Sequence, residues 1–524
     1  MVIIVEKNTK KHIFKKAKSF EGKTKDEKNT NNSGKLTKSL NRNITIFQSS
    51  FSNDDTVIFR KFQNQYSDKI KCCIIIIEGM TDIEHINRRV IEPLQNQVFQ
   101  RPKSSVNLVD EVQNKVLPVN DVRQSTRLNE MIKAVCYGDT VLLLDGCDVA
   151  LIISSRGWES RPISEPESGK VVRGPREGFT ESIIKNVSLI RRKIKNPNLK
   201  FKLMELGKQT HTAICITYIE GIALDSILTE LEQRLNRIDI DGILDSGYVQ
   251  ELIQDEPLSP FPTVGSSERP DVVVAKMLEG RVAIIVDGSP FVLTVPHILV
   301  ESIQINEDYY NHFLFGSFNR FLRAASAIAT ISIPAVYLAI VTYHQEMIPT
   351  QLLISISASL EGVPLPTSLS LIIMMLIFDI LREAGTRMPT AIGQAVNIVG
   401  TLVLGQAAVD AHLVSSPVII VTAISGITTF MHPTMIESVV ILRLVLIIAA
   451  SFLGIYGYLI GVILILLHLL SIRSFGVPYM MGLTRLEEHD GQDSWIRAPW
   501  WSMTLRPKII GARNQIRQTS RHNR

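Results

Sequence analysis

The sequence predicts an α/β two-lobed soluble N-terminal domain followed by an α-helical polytopic membrane domain with four to five apolar segments. Three observations predict it. Between residues 44 and 310, short apolar runs closing on an acidic residue and glycine alternate with stretches of helical spacing. Beyond them, only ten of the 152 residues from 321 to 472 are Asp, Glu, Lys or Arg, although the whole chain is 20% charged. Basic residues gather at the two ends: the net charge is +8 over 1–43 and +5 over 473–524, against −6 over 44–320 and −2 over 321–472.

Residues 1–43 carry twelve Lys or Arg against four acids and few large apolar residues, a composition that buries no core and reads as a disordered basic arm. Two readings fit it, contact with anionic lipid and a solvated tail. No apolar h-region of a cleaved signal precedes the fold. The soluble part then repeats one device: Cys73-Ile74-Ile75-Ile76-Ile77-Glu78-Gly79, Val141-Leu142-Leu143-Leu144-Asp145-Gly146, Ile214-Cys215-Ile216-Thr217-Tyr218-Ile219-Glu220-Gly221 and Val282-Ala283-Ile284-Ile285-Val286-Asp287-Gly288. Each run fits a buried strand ending in a turn, and the chain resumes apolar soon after Gly146 and Gly288, as in hairpins. Apolar residues three and four apart over 80–94, 181–194, 224–235 and Pro270–Leu278 predict helices. The lobes are expected at 44–160 and 161–310, joined by the polar stretch 157–178 with its three prolines and four glycines. The five cysteines contain no C-x-x-C and mostly sit in or beside apolar runs, as reduced core residues do.

Five apolar blocks follow, at 324–343, 364–378, 391–409, 413–436 and 444–472. The first is 20 residues without a charge, about 30 Å as a helix. Arg320 and Arg323 before it, against His344 and Glu346 after it, put the soluble part in the cytoplasm. The tail 473–524 has nine basic and four acidic residues and belongs on the same side, which demands an even number of crossings. The last block is 29 residues, about 43 Å as one helix, and holds Gly454, Gly457 and Gly461. A broken or re-entrant element reconciles the charges, and a single tilted helix is the rival. Gly457-x-x-x-Gly461 also matches a close helix-packing pattern.

Polar residues at membrane depth are the place to look for a pathway. Gln394, Asn397 and Thr401 share one helical face, as a hydrated pore wall or as interhelical hydrogen bonding. Asp379, Arg382, Glu383 and Arg387 can pair along one face, as an ion filter or as helix-end ion pairs that fix topology. Asp410, Glu361 and Glu346 are outer-side acids that either gather cations or are solvated loop residues. Arg173, Arg176 and Glu177 in the joint, beside Gly174 and Gly178, suit an interdomain clamp better than an anion site, since no P-loop is present. No H-E-x-x-H, G-x-S-x-G or G-x-G-x-x-G occurs, so no enzymatic activity, cofactor or metal is expected. A net charge of +5 is too small for nucleic-acid binding by the whole chain.

Val172-Arg173-Gly174-Pro175-Arg176-Glu177-Gly178-Phe179, Ile238-Asp239-Ile240-Asp241-Gly242, Ser259-Pro260-Phe261-Pro262-Thr263, Glu361-Gly362-Val363-Pro364 and Arg473-Ser474-Phe475-Gly476-Val477-Pro478-Tyr479 resemble the A subunit of GerA-type spore germinant receptors over roughly 45–508. The resemblance implies a subunit of a complex in the spore inner membrane, partnered by a transporter-like B subunit and a lipoprotein C subunit. It implies a homo-oligomer that forms a nutrient-gated channel for monovalent cations. A non-conducting scaffold of the same complex and a secondary transporter are the alternatives, and no inverted repeat supports the transporter. Where the family pattern carries acids after Gly-Val-Pro, this chain has Ser370 and Met375, and Asp379 stands for a usual Glu.

Overall fold

The computed structural model describes residues 36–66, 70–96, 105–119, 121–157, 171–387 and 405–483, with 493, 496–503, 505, 506 and 517 of the tail. They form two compact units, 1–159 with 194–197, and 160–193 with 198–524.

In the first unit α1 (Leu40–Ser50) precedes β1 (Val57–Gln63) and β2 (Lys71–Ile77); β3 (Val122–Ser125), α2 (Leu128–Cys136) and the hairpin of β4 (Thr140–Leu144) and β5 (Ala150–Ile153) follow. The sheet order is β1-β2-β4-β5-β3, antiparallel at every pairing. The central runs are continuously apolar because both sheet faces are covered. Ile74, Leu142 and Leu151 face the helical turns Ile83–Ile86, Asn87–Ile91 and Glu92–Asn96, whereas Ile75, Leu143 and Ile152 face α1 and α2. All five cysteines are buried, and burial pushes Cys72 up to about 12 and Cys73 up to about 11, so neither of these two is a nucleophile at neutral pH. The arm expected to run through 43 ends sooner, since Leu36, Leu40 and Asn43 are already buried. Its residues 1–35 lie outside the described residues.

The second unit opens with the same plan. α3 (Ile183–Lys193), β6 (Leu199–Leu206), β7 (Thr212–Ile219), α4 (Asp225–Asn236), α5 (Ser246–Ile253), β8 (Gly265–Ser267), α6 (Pro270–Leu278), β9 (Val282–Val286) and β10 (Val292–Val295) give the order β6-β7-β9-β10-β8, again antiparallel throughout. Position for position this is the order of the first sheet, so the layered lobes arise without parallel crossovers.

The likeness extends to single hydrogen bonds. Asn43 accepts from Thr37 N at 2.8 Å and donates to Thr37 O at 2.6 Å; Asn186 does the same with Thr180 at 2.8 and 2.5 Å. The first helical amides, Leu40 N and Ile183 N, are received by Asp145 and Asp287 at 3.3 and 3.0 Å. Gly146 N and Gly288 N donate to Lys38 O and Glu181 O at 2.9 and 2.7 Å. The four acidic-Gly turns of the sequence are thus two copies of one pair, and each Gly needs the left-handed backbone (φ 74°, 83°, 84° and 86° at Gly79, Gly221, Gly146 and Gly288). Asn43→Ala and Asn186→Ala should each strip both bonds from a half-buried threonine backbone and cost about 1–3 kcal/mol in chemical denaturation. Unequal losses would contradict the equivalence.

Past two short turns the second unit continues into α7 (Phe313–Tyr343), α8 (Thr350–Leu360), α9 (Thr367–Arg387), α10 (Gly405–Asp410), α11 (Ser416–Thr429) and α12 (Ile436–Ser471). The third apolar block lies mostly outside the described residues. Among the described residues two helices, Phe313–Tyr343 and Pro433–Ser471, are long and apolar enough to cross a membrane. The second is broken: Gly454 takes φ 59° and ψ −138°, and α12 folds back on itself as two arms of about 18 and 17 residues, roughly 27 and 26 Å. A Cβ on Gly457 would stand 2.1 Å from the Ala449 carbonyl, and one on Gly461 2.5 Å from Leu446, so the small-residue pattern seats one arm against the other. Both arms reach the same loop of the second lobe, Ser438 at Pro260 and His468 at Ser259, while the Gly454 tip lies beside Tyr343 at the far end of α7. Length and apolarity alone would make 433–471 one span; its two contacts with a single loop make it a hairpin. Gly454→Ala should cost about 1–3 kcal/mol in a detergent melt, through backbone strain and contact with Tyr343. An unshifted melt would contradict the hairpin.

Candidate functional site

The chain chemistry concentrates where the second lobe meets the apolar helices. The loop Ser259-Pro260-Phe261-Pro262-Thr263 receives both arms of α12 and the segment after it. Ser259 Oγ lies 2.9 Å from His468 Nε2, Pro260 O accepts from Ser438, and Thr263 O accepts from Ser474 Oγ at 2.6 Å. Ser474 Oγ in turn accepts from His297 N at 3.0 Å, and Phe475 N donates to Asp255 at 2.9 Å. Phe475, held at φ 48°, stacks under the Arg234 guanidinium at 4.3 Å, and with Val477 and Met481 completes the lobe's apolar core. The segment 473–481 therefore fastens the end of α12 into the lobe, a role that hydrophobic periodicity does not reveal.

Next to this lock lies a buried ion cluster. Glu301 meets Arg281 at 2.8 Å, Lys276 at 3.0 Å and His297 Nδ1 at 3.3 Å. Burial opposes its charge, but Arg281, Lys276 and His297 hold the carboxyl well below its ordinary value. Burial, aided by Lys276 and Arg281, keeps His297 below the ordinary imidazole value despite Glu301.

At the foot of α7, Asp308 is buried against Arg320 and Arg323, and Arg323 Nε donates to Ile303 O at 2.8 Å. The tail returns here: Asp493 accepts from Arg320 at 3.0 Å and from Tyr309 at 2.5 Å, and Arg497 donates to Asn311 O and Tyr309 O at 3.2 and 3.4 Å. The tail and the second lobe consequently lie at one end of the helices.

From Asp308 a buried polar chain crosses four helices. Ser326 Oγ donates to Arg323 O at 2.7 Å and lies 2.8 Å from His432 Nε2. Thr330 Oγ1 donates to Ser326 O at 2.7 Å, and Ser425 Oγ donates to Thr330 O at 2.9 Å. Arg443 then donates to Ser425 Oγ at 3.3 Å and to Asp379 at 2.6 Å, and Arg382 closes the chain 3.4 Å from the other Asp379 oxygen. Side-chain polar groups among apolar helices persist when bonded to each other, and a chain of them rigidly links the elements it joins.

The expected site residues divide accordingly. Asp379 is the partner of both Arg443 and Arg382, and Arg443 is buried. Glu383 and Arg387 form an exposed pair at 2.6 Å. Asp410 is exposed at the end of α10. Gln394, Asn397 and Thr401 lie outside the described residues. In the joint, Glu177 meets Arg192 and Lys193 of α3 at 3.4 and 3.1 Å, Arg173 N donates to Glu307 at 3.3 Å, and Arg269 donates to Pro175 O at 3.4 Å. Those contacts of Arg173 and Glu177 fall within the second unit; Arg176 also has a partner. Ser326, Thr330, Ser425 and His432 escaped the sequence reading, although Ser326/Thr330 and Ser425/Thr429 show the signal, small polar residues four apart in apolar blocks. Among the described residues no group of three or more His, Cys, Asp or Glu is placed to hold a metal ion.

The family described as the Bacillus/Clostridium GerA spore germination protein matches residues 45–509. Spore germination protein KA of Bacillus subtilis (strain 168) is 42% identical over 486 residues, 92% of this chain and 89% of that protein. Spore germination protein GerLA of Bacillus cereus is 36% identical over 442 residues, 84% of this chain and 89% of its own. Membrane protein YfkQ of Bacillus subtilis (strain 168) is 37% identical over 467 residues, 89% of each chain. The crystal structure of the N-terminal domain of the A subunit of the Bacillus megaterium spore germinant receptor GerK3 is 32% identical, covers 50% of this chain and 96% of its own, and has a TM-score of 0.37.

Proposed function

From the premise that the chain belongs to the GerA family of spore germination proteins, we propose that it is a nutrient-receptor subunit that triggers germination through a gated helical domain. It sits in the spore inner membrane as a multi-pass protein, with both lobes and both basic ends in the cytoplasm. Its partners are a transporter-like B subunit and a lipoprotein C subunit. It assembles with copies of itself into a conduit for monovalent cations, binding and gating rather than making or breaking bonds.

The polar chain from Asp308 to Asp379 carries the reading, because one buried network joins the soluble lobe to α7, α9, α11 and α12. A displacement of the lobe at Asp308 reaches every member of the network, as a gating element requires. The topology is supported by the tail held against Tyr309 and Arg320 and by the two α12 arms returning to one loop, which together call for an even number of crossings. The apolar surface left outward on these helices, for example Ile427, Phe452 and Leu464, suits lipid.

A second reading, a non-conducting scaffold of the same complex, is favoured by Asp379, whose charge is already compensated by two arginines. The purified receptor complex in potassium-loaded vesicles separates the two. Nutrient-triggered potassium release that disappears when this chain is omitted fits a conduit. Release that persists without it assigns conduction elsewhere and leaves the scaffold. In spores from which other receptors have been removed, deletion of this chain is expected to abolish the response to at least one nutrient; unchanged responses to all nutrients would overturn the receptor reading.

A further inference from the structure

We propose that the tail segment 496–503 is an interfacial membrane anchor that docks, with the foot of α7, into the headgroup–acyl boundary of an anionic bilayer. The proposal rests on the membrane placement above and adds to it a lipid-binding surface.

Three observations carry it. First, the segment is pinned rather than loose. Arg497 N donates to Ser317 Oγ at 3.1 Å, its guanidinium caps the carbonyls of Tyr309 and Asn311, and Trp500 Nε1 donates to Tyr309 O at 3.4 Å. Arg497 is 4% exposed, so this cation holds the segment in place and is not the group offered to lipid.

Second, the pinned segment and the α7 foot both leave large apolar groups outward. Trp501 packs edge-on to Phe313 with ring centroids 5.7 Å apart, yet remains 64% exposed. Ile496 and Trp500 beside it, and Phe315, Phe318 and Phe321 on the α7 foot, are exposed as well. Tryptophan, with an apolar ring and one donor, favours the membrane–water boundary over either bulk phase.

Third, the level is set by helix length. α7 has 31 residues, about 46 Å, whereas its uncharged stretch 324–343 accounts for about 30 Å of core. The excess falls at the lobe end, so the aromatic foot lies at headgroup height. Arg473, exposed where the second arm of α12 ends, complements anionic headgroups.

The test uses the full chain with Trp158→Phe and Trp495→Phe, leaving Trp500 and Trp501 as the only tryptophans, in phosphatidylcholine–phosphatidylglycerol vesicles. The lipids carry bromine either just below the headgroup or near the chain end. Shallow bromines should quench the pair about twofold more than deep ones. A second chain, with all four native tryptophans changed to Phe and Leu464→Trp on the lipid-facing second arm, should be quenched most by deep bromines. Quenching of Leu464→Trp with none at Trp500 and Trp501 would overturn the anchor and leave the membrane placement standing. No quenching at either site would overturn both. Shallow quenching that vanishes when the partner subunits are present would assign the surface to protein and also overturn the proposal.

Discussion

Asp379→Ala is expected to inactivate the receptor subunit and to cost about 3–5 kcal/mol of folding stability, because it leaves Arg443 buried among apolar helices without its countercharge. The loss has two parts. Among the described residues Arg443 keeps Ser425 Oγ, at 3.3 Å, as its one hydrogen-bond partner, and the link between α9 and α12 is cut. Asp379→Asn keeps the shape and removes the charge, so it should fall between wild type and Ala. The exchange Asp379→Arg with Arg443→Asp should recover part of the loss, since the pair would be restored in reverse. Chemical unfolding in detergent reads the stability, and nutrient-triggered germination reads the function. If Asp379→Ala were as stable as wild type, the ion pair would not be the structural element described; if the exchange recovered nothing, the charge pair itself would not be what matters.

Glu301→Ala is expected to be as costly, about 3–5 kcal/mol, since Arg281 would remain buried and Lys276 half-buried in the second lobe with their shared acceptor gone. Its pH dependence identifies the cause. The native carboxyl is held well below its ordinary value of 4.5. A depressed carboxyl contributes stability that is fully present above the unfolded value and is lost as pH falls through the native one. The gap between wild type and Glu301→Gln should therefore be constant above about pH 4.5 and shrink on acidification below it. A gap that grew on acidification would assign the shift to burial alone.

Much of the fold was legible because strand and helix leave different periods. Pro270–Leu278 is a helix with the bounds its spacing predicts, and the runs ending at Gly146 and Gly288 are the expected hairpins. The recurring acidic-Gly turns were visible, but the doubling of the whole lobe was not: it rests on Asn43 and Asn186 gripping threonines six residues upstream, and a single polar residue in a helix has no periodic signature. Charge counting left a broken final helix and a single tilted one as alternatives. The answer lies in Gly457 and Gly461, whose missing side chains admit the opposite arm.

The site was less legible. In sequence Asp379 reads as part of an ion filter or of a helix-end pair with Arg382, and its partner Arg443 lies 64 residues on, while the small hydroxyls between Arg323 and Arg443 come from two helices, α7 and α11. Lone Ser and Thr residues in apolar blocks bond back to their own helix as often as across, so only the fold distinguishes the two. The joint residue Glu177 reads as an interdomain clamp in sequence, and the ion pairs described for it are with α3 of its own unit.

The central claim is that the second lobe controls the helices through Asp308. The most direct measurement is nutrient-triggered potassium release from vesicles holding the intact receptor complex with Asp308→Asn, a change that keeps the size of the side chain and removes the charge facing Arg320 and Arg323. In complexes that still assemble and bind nutrient, potassium release per complex is expected to be at least tenfold slower, about 1.4 kcal/mol or more of lost coupling. Release at the wild-type rate from an assembled Asp308→Asn complex would contradict it.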